Sequence, residues 1–175
     1  MRSKNALPLL KKRLQEQGDR RAKWREIRDE EVSDEKREAW RKRLDEFKPK
    51  QYFEIELGYA ISQIDPMGEG IKLLGHDLAA VREGAWLGLG EAATVELIER
   101  VYQERKKSRH PHFRYAAYRA IDHMLINIAA VGGQAELEEL KKLPQEIKDA
   151  EGVGTRVEWT VFKLEKMHSN TKSSE

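Results

Sequence analysis

The apolar pattern is clearest in residues 77–92, DLAAVREGAWLGLGEA. Asp77 opens the stretch, large or branched apolar residues follow at Leu78, Val81, Leu87 and Leu89, and Ala85 falls between them. Small residues occupy Ala79, Ala80, Gly84, Gly88 and Gly90. The spacing predicts a helix. Its glycines cost helix propensity, so the pattern makes sense only if the helix lies very close to others and packing compensates. Helical spacing recurs on both sides. Residues 52–64 carry Phe53, Leu57, Ile61 and Ile64, and Asp65-Pro66 punctuates before a short helix in MGEGIKLLG. Residues 94–108 place Val95, Ile98, Val101 and Tyr102 on one face. His110-Pro111 punctuates again, residues 112–131 form a long helix, and Gly132-Gly133 stops it. QAELEELKKL is a further helix closed by Pro144, QEIKDAEGVG reads as a polar linker, and TRVEWTVFKLEKM as a last helix.

The front of the chain has another texture. Residues 6–17 put Leu7, Leu10 and Leu14 on one helical face, and Gly18 is expected to break that helix. Residues 19–31 are almost wholly charged, with Trp24 and Ile27 the only large apolar groups. Ser33 is placed to cap a helix carrying Trp40, Leu44 and Phe47, which Pro49 ends. Such narrow stripes suit a bundle edge, a coiled-coil seam, a docking arm or a solvated extension. Residues 1–50 hold 17 Lys and Arg against 11 Asp and Glu, and residues 51–175 hold 16 against 20, so the net charge of +2 conceals a basic front and a mildly acidic back. The division expected is a charged helical extension over 1–50, a repeat domain over 51–168 and a disordered tail over 169–175.

The repeat appears when four segments are superposed: FEIELGYAIS from Phe53, VREGAWLGLG from Val81, FRYAAYRAID from Phe113 and, more loosely, TRVEWTVFKL from Thr155. Their starts are 28, 32 and 42 residues apart. A period in this range marks a solenoid, in which each helix pair buries its apolar face only against its neighbours. Val81, Arg82, Ala85, Leu89 and Gly90, followed by His110-Pro111 with Phe113, Arg114, Ala116, Ala117 and Ile121, resemble the short bacterial-type HEAT repeat. The resemblance covers roughly residues 52–167 and fails before residue 50. It implies an all-α fold, a right-handed α-solenoid of HEAT-like helix pairs in which the second helix of each pair lines the concave face. The last unit departs most, as a terminal cap would.

Candidate chemistry is sparse. The chain has no cysteine, which excludes disulfides and thiolate metal sites. It has no run near the roughly 20 apolar residues needed to cross a bilayer and no apolar leader, so a soluble, cytoplasmic protein with no membrane contact is expected. His112 and His123 fall about 16 Å apart along one helix, too far for one ion, so no metal site is expected. Among Glu54, Glu56, Asp65, Glu69 and Glu91 no pair stands out for acid–base work. Gly68, Gly70 and Gly75 lack the strand and the Gly-Lys-Ser/Thr ending of a phosphate loop, and no serine has a nucleophile-elbow context. No cofactor and no catalytic residue is expected.

The basic and aromatic residues carry more. Arg82, Arg114 and Arg156 hold the same place in the superposed segments, so stacked units would align them in a ladder that Arg119 and the run Arg105–Arg109 extend. The ladder reads either as a stripe for phosphates and carboxylates or as pairs with acids of adjoining units. Trp86 is a candidate anchor for a partner, as is Trp159. The expected function is a non-catalytic scaffold that docks a partner protein's helix or loop on a curved surface, with Arg82, Trp86, Arg114, Arg119 and Arg156 as the contact residues. Two alternatives remain open: nucleic-acid binding through the arginines, and, from the resemblance alone, a HEAT-type lyase or accessory protein of the kind that handles bilin chromophores.

Overall fold

The computed structural model describes residues 4–172, and all regular structure among them is helical. In chain order the helices are α1 (Leu7–Arg28), α2 (Arg37–Phe47), α3 (Gln51–Ile64), a π turn over Pro66–Gly70 running into the single turn α4 (Ile71–Leu73), α5 (Ala79–Glu91), α6 (Val95–Lys107), α7 (Pro111–Val131), α8 (Gln134–Lys141), the short α9 (Gln145–Lys148) and α10 (Val153–Lys172).

Helices α3, α5, α7 and α10 pack side by side in that order. Gly58 meets Val81 while Ser62 meets Gly88, and Trp86 meets Tyr115 while Gly90 meets His123, so the contacts advance together along both chains and the row is parallel. The π turn with α4, then α6, then α8 and α9 return the chain behind this row. Between the two layers lies one core of Leu57, Ile61, Leu74, Val81, Leu89, Ile98, Val101, Ile121, Met124, Leu125, Leu140, Ile147 and Leu164. Each of its larger side chains contributes about 1.5–3 kcal/mol by leaving water.

Helices α3 and α5 meet backbone to backbone. A Cβ on Gly84 would stand 1.9 Å from the Ile55 carbonyl oxygen, one on Gly88 would stand 2.6 Å from that of Tyr59, and one on Gly58 would stand 2.4 Å from that of Val81. No side chain separates the two backbones there. Both neighbours reach the carbonyls at the end of α5: Gln63 Nε2 donates to Gly88 O at 2.7 Å, which also accepts the Ala92 N–H, and Asn127 Nδ2 donates to Gly90 O at 2.8 Å. Helix ends leave such last-turn carbonyls in need of partners.

The front helices are joined to this core. Leu14 of α1 belongs to it. Glu54 of α3 is fully buried, and Arg21 of α1 grips it with Nε at 3.1 Å from Oε1 and a terminal nitrogen at 2.5 Å from Oε2. Helix α2 lies on α1 through Trp40 Nε1, which donates to Ile27 O at 2.7 Å, and through Arg43, which holds Glu30 with both terminal nitrogens. Below α1, His76 Nδ1 accepts the Leu78 N–H at 3.1 Å, and burial lowers the pKa of this imidazole below its ordinary value.

Several expectations need correction. Gly18 does not end α1, which runs through it to Arg28 because Arg21 and Ile27 beyond it are themselves anchored. Ser33 stands at the start of a short turn at Asp34–Lys36 that runs directly into α2, but its side chain makes no cap. Asp77, which opens the stretch in the sequence, lies before α5, and the helix starts after Leu78 without a side-chain cap. The polar linker contains α9, held by buried Ile147. Of the tail, residues 169–172 continue α10, and residues 173–175 lie outside those described. The fourth repeat segment is also out of register. Val153, Val157, Thr160 and Leu164 are buried and correspond to Phe113, Ala117, Ala120 and Met124, so this unit begins at Val153 rather than Thr155. Gly154 therefore takes the place of Arg82 and Arg114, and Trp159 and Lys163 face outward.

Two glycines should respond in opposite directions to one substitution. Gly84→Ala forces a methyl into the Ile55 carbonyl and should destabilise by about 2–3 kcal/mol, at the upper end of overpacking costs. Gly18→Ala meets nothing within 4 Å and should stabilise by up to about 1 kcal/mol through helix propensity. Urea unfolding followed by circular dichroism reads both. Arg21→Ala, which strands a buried carboxylate, should cost about 3 kcal/mol in the same assay, and adding Glu54→Leu should restore most of it.

Candidate functional site

Tyr115, Arg119 and Ile126 of α7, with the largely covered Asp122 between them, recur on one face, as do Arg156, Trp159, Lys163 and Met167 of α10. Both series follow helical spacing and form a stripe along one face. Because the row is parallel, the two stripes lie alongside each other, with Trp86 of α5 adjoining the first.

The stripes are joined by direct contacts. The Tyr115 ring meets Trp86 edge-on, with centroids 6.0 Å apart and planes at 76°. The Arg119 guanidinium lies over the same indole, 5.6 Å from its centroid. Arg119 also approaches Asp122 at 4.0 Å, and Asp122 accepts a hydrogen bond from Arg156 Nε at 2.6 Å. Arg156 in turn lies 5.4 Å from the Trp159 centroid, and Lys163 approaches that ring at 5.5 Å. One connected line of aromatic and cationic groups thus crosses α5, α7 and α10. Cation–π contacts and a carboxylate shared by two arginines fix long side chains that would otherwise be mobile. The line carries three cations, Arg119, Arg156 and Lys163, against the single anion Asp122, so its field is positive. Arg119 Nε is covered and meets no acceptor among the described residues.

Beyond this line, between the same two helices, lies an open groove of about 480 Å³ lined by Ile126, Ala129, Ala130, Trp159, Lys163, Lys166 and Met167. Trp159 retains 39% of its surface in water and Met167 43%.

The five residues expected to make contact fare differently. Trp86, Arg119 and Arg156 are brought together. Arg82 is half-buried, and one of its terminal nitrogens donates to the carbonyls of His76 at 2.6 Å and Asp77 at 2.9 Å, where it secures the turn before α5. Arg114 is exposed and has no ion pair or hydrogen bond from its side chain to a described residue. The arginine ladder is therefore not formed: its rungs have three different environments, and the Arg156 rung belongs to a different register. Sequence reasoning missed Tyr115, Asp122, Ile126, Lys163 and Met167 as parts of one surface. One signal was present, since Asp122 is the single acid in the whole of α7.

Other candidates have structural work. Glu54 is held by Arg21, Asp65 Oδ2 accepts the Glu69 N–H at 3.0 Å, and Glu91 accepts from the Tyr59 hydroxyl. Glu69 binds Lys72 and Lys11, whose hydrogen bonds lower its pKa. Lys106, in the basic run, binds Glu146 at 2.5 Å, which raises the lysine's pKa and lowers the carboxylate's. His110 Nδ1 accepts the Phe113 N–H at the start of α7. Among the described residues, no three His, Cys, Asp or Glu side chains cluster as metal ligands, and no helix is long and apolar enough to cross a membrane.

No protein-family model, curated protein or solved structure matches the chain.

Asp122 holds the line together and is nearly buried, so Asp122→Ala should leave Arg119 and Arg156 facing each other without a counterion. A loss of about 2 kcal/mol in urea unfolding is expected, on the scale of hydrogen bonds to charged groups. Asp122→Asn, which keeps an acceptor, should lose less.

Proposed function

We propose that this chain is a non-catalytic protein-interaction scaffold, a short right-handed HEAT-like array that docks a partner protein on the face of α5, α7 and α10. One observation supports this reading above the rest: the connected line from Tyr115 and Trp86 through Arg119, Asp122 and Arg156 to Trp159. Tryptophan, tyrosine and arginine are the residues that most often dominate binding energy at protein interfaces. Here they are positioned before any partner arrives, which lowers the ordering cost of association. The parallel row of helices behind them, with Gly84 and Gly88 in backbone contact with α3, makes the surface stiff. The HEAT-like reading rests on the out-and-back helix pairs and on the Val81–Gly90 and Phe113–Ile121 patterns.

Nucleic-acid binding is the second reading, supported by exposed Arg114, by Lys163 and Lys166 and by the basic front. It is the weaker of the two because Arg82 and Arg156 are occupied by protein acceptors.

A pull-down from extract of the source cell, with and without nuclease, compares the wild-type chain with Arg119→Ala/Trp159→Ala. Retention of a defined protein after nuclease, with at least about a tenfold loss in the double variant, is the expected result, equal to about 1.4 kcal/mol. Capture of nucleic acid alone, with affinity falling steeply as salt rises, would move the chain to the second reading.

A further inference from the structure

We propose that the groove between the C-terminal halves of α7 and α10 receives an acidic amphipathic helix from a partner protein. This inference rests on the scaffold reading and supplies its partner chemistry.

The floor of the groove is apolar: Ile126, Ala129 and Ala130 from α7, Trp159 and Met167 from α10. Its volume of about 480 Å³ is open along one side and has room for two or three large side chains. Trp159 to Met167 spans two turns of α10, about 12 Å of groove, which matches apolar anchors at i, i+3 or i+4, and i+7 on an entering helix. The alanines at 129 and 130 keep the α7 wall low, so a helix can approach its backbone closely.

Charge selects among possible helices. Two lysines, Lys163 and Lys166, line the groove and no carboxylate does. Neither lysine forms an ion pair with a described residue. Upstream along the same stripe, Asp122 is already shared by Arg119 and Arg156. An entering helix therefore meets an apolar floor under a positive rim that no described carboxylate compensates. Aspartate and glutamate beside its anchors would pair with that rim, whereas lysine there would be repelled. A polyanion without apolar groups would leave Trp159 and Met167 uncovered.

The test is selection of peptides of about 16 residues, some 24 Å as a helix, from a random displayed library on the full chain. The enriched pool should be net acidic with helical apolar spacing, and a representative peptide should bind Trp159→Ala/Met167→Glu at least about tenfold more weakly. Lys163→Glu/Lys166→Glu alters two exposed side chains and should keep the fold. It should weaken the acidic peptide and favour a version whose acids are changed to lysine. Enrichment of basic or uncharged peptides would overturn the inference, as would binding indifferent to all four groove substitutions. Binding lost with Arg119→Ala but not with the groove variants would place the partner elsewhere and leave the scaffold reading standing. No enrichment at all would count against both. Concentration-dependent self-association abolished by Met167→Glu would assign the groove to a second copy and also overturn the proposal.

Discussion

Backbone contact between α3 and α5 sets the geometry on which the other helices depend. At Gly58, Gly84 and Gly88 the two helices approach so closely that a single methyl would strike a carbonyl of the opposite helix. Contact at this range has two consequences. It excludes water from a stretch that carries almost no side-chain volume, and it fixes both the separation and the register of the two helices. Helix α7 then packs on a helix that is already placed, with Asn127 closing the carbonyl at Gly90, and α10 packs on α7. The glycines lower the intrinsic helicity of α5, so α5 is stable only in this packed setting.

The charged front follows from the same logic. Helix α3 buries a carboxylate at Glu54, which would be very costly alone, and α1 supplies the guanidinium that answers it. A stretch read from composition as a charged extension therefore holds a residue on which the core depends. Its other charges are mostly local pairs at the surface, such as Arg13 with Glu16 and Lys23 with Glu26, which contribute little.

What was legible in the sequence was what local spacing and small residues encode. The close packing of α5 could be read from Gly84 and Gly88, and the stop after α7 from Gly132-Gly133. What was not legible depended on partners distant in the chain. Gly18 looks like a breaker unless Arg21 is known to reach Glu54, 33 residues on. The fourth repeat was misaligned by two residues because Trp159 resembles a core residue, and only its neighbours show that Val157 and Thr160 take the inward places. That shift removed Arg156 from the arginine ladder, and the carbonyls of His76 and Asp77 removed Arg82. The line that replaced it depends on Asp122, whose role emerges only when α7 and α10 are laid side by side. The proposed docking surface is thus a product of helix register more than of any motif.

Native-state hydrogen exchange, resolved by residue, tests the central dependence most directly. If the glycine contact organises the array, the slowest amides should lie in Leu57–Ser62, Ala85–Leu89 and Ile121–Leu125, exchanging only by global unfolding, while α2 and the end of α10 open earlier. Were α5 to exchange through a low-energy local opening while α7 and α10 stayed protected, the α3–α5 contact would not be what holds the row together.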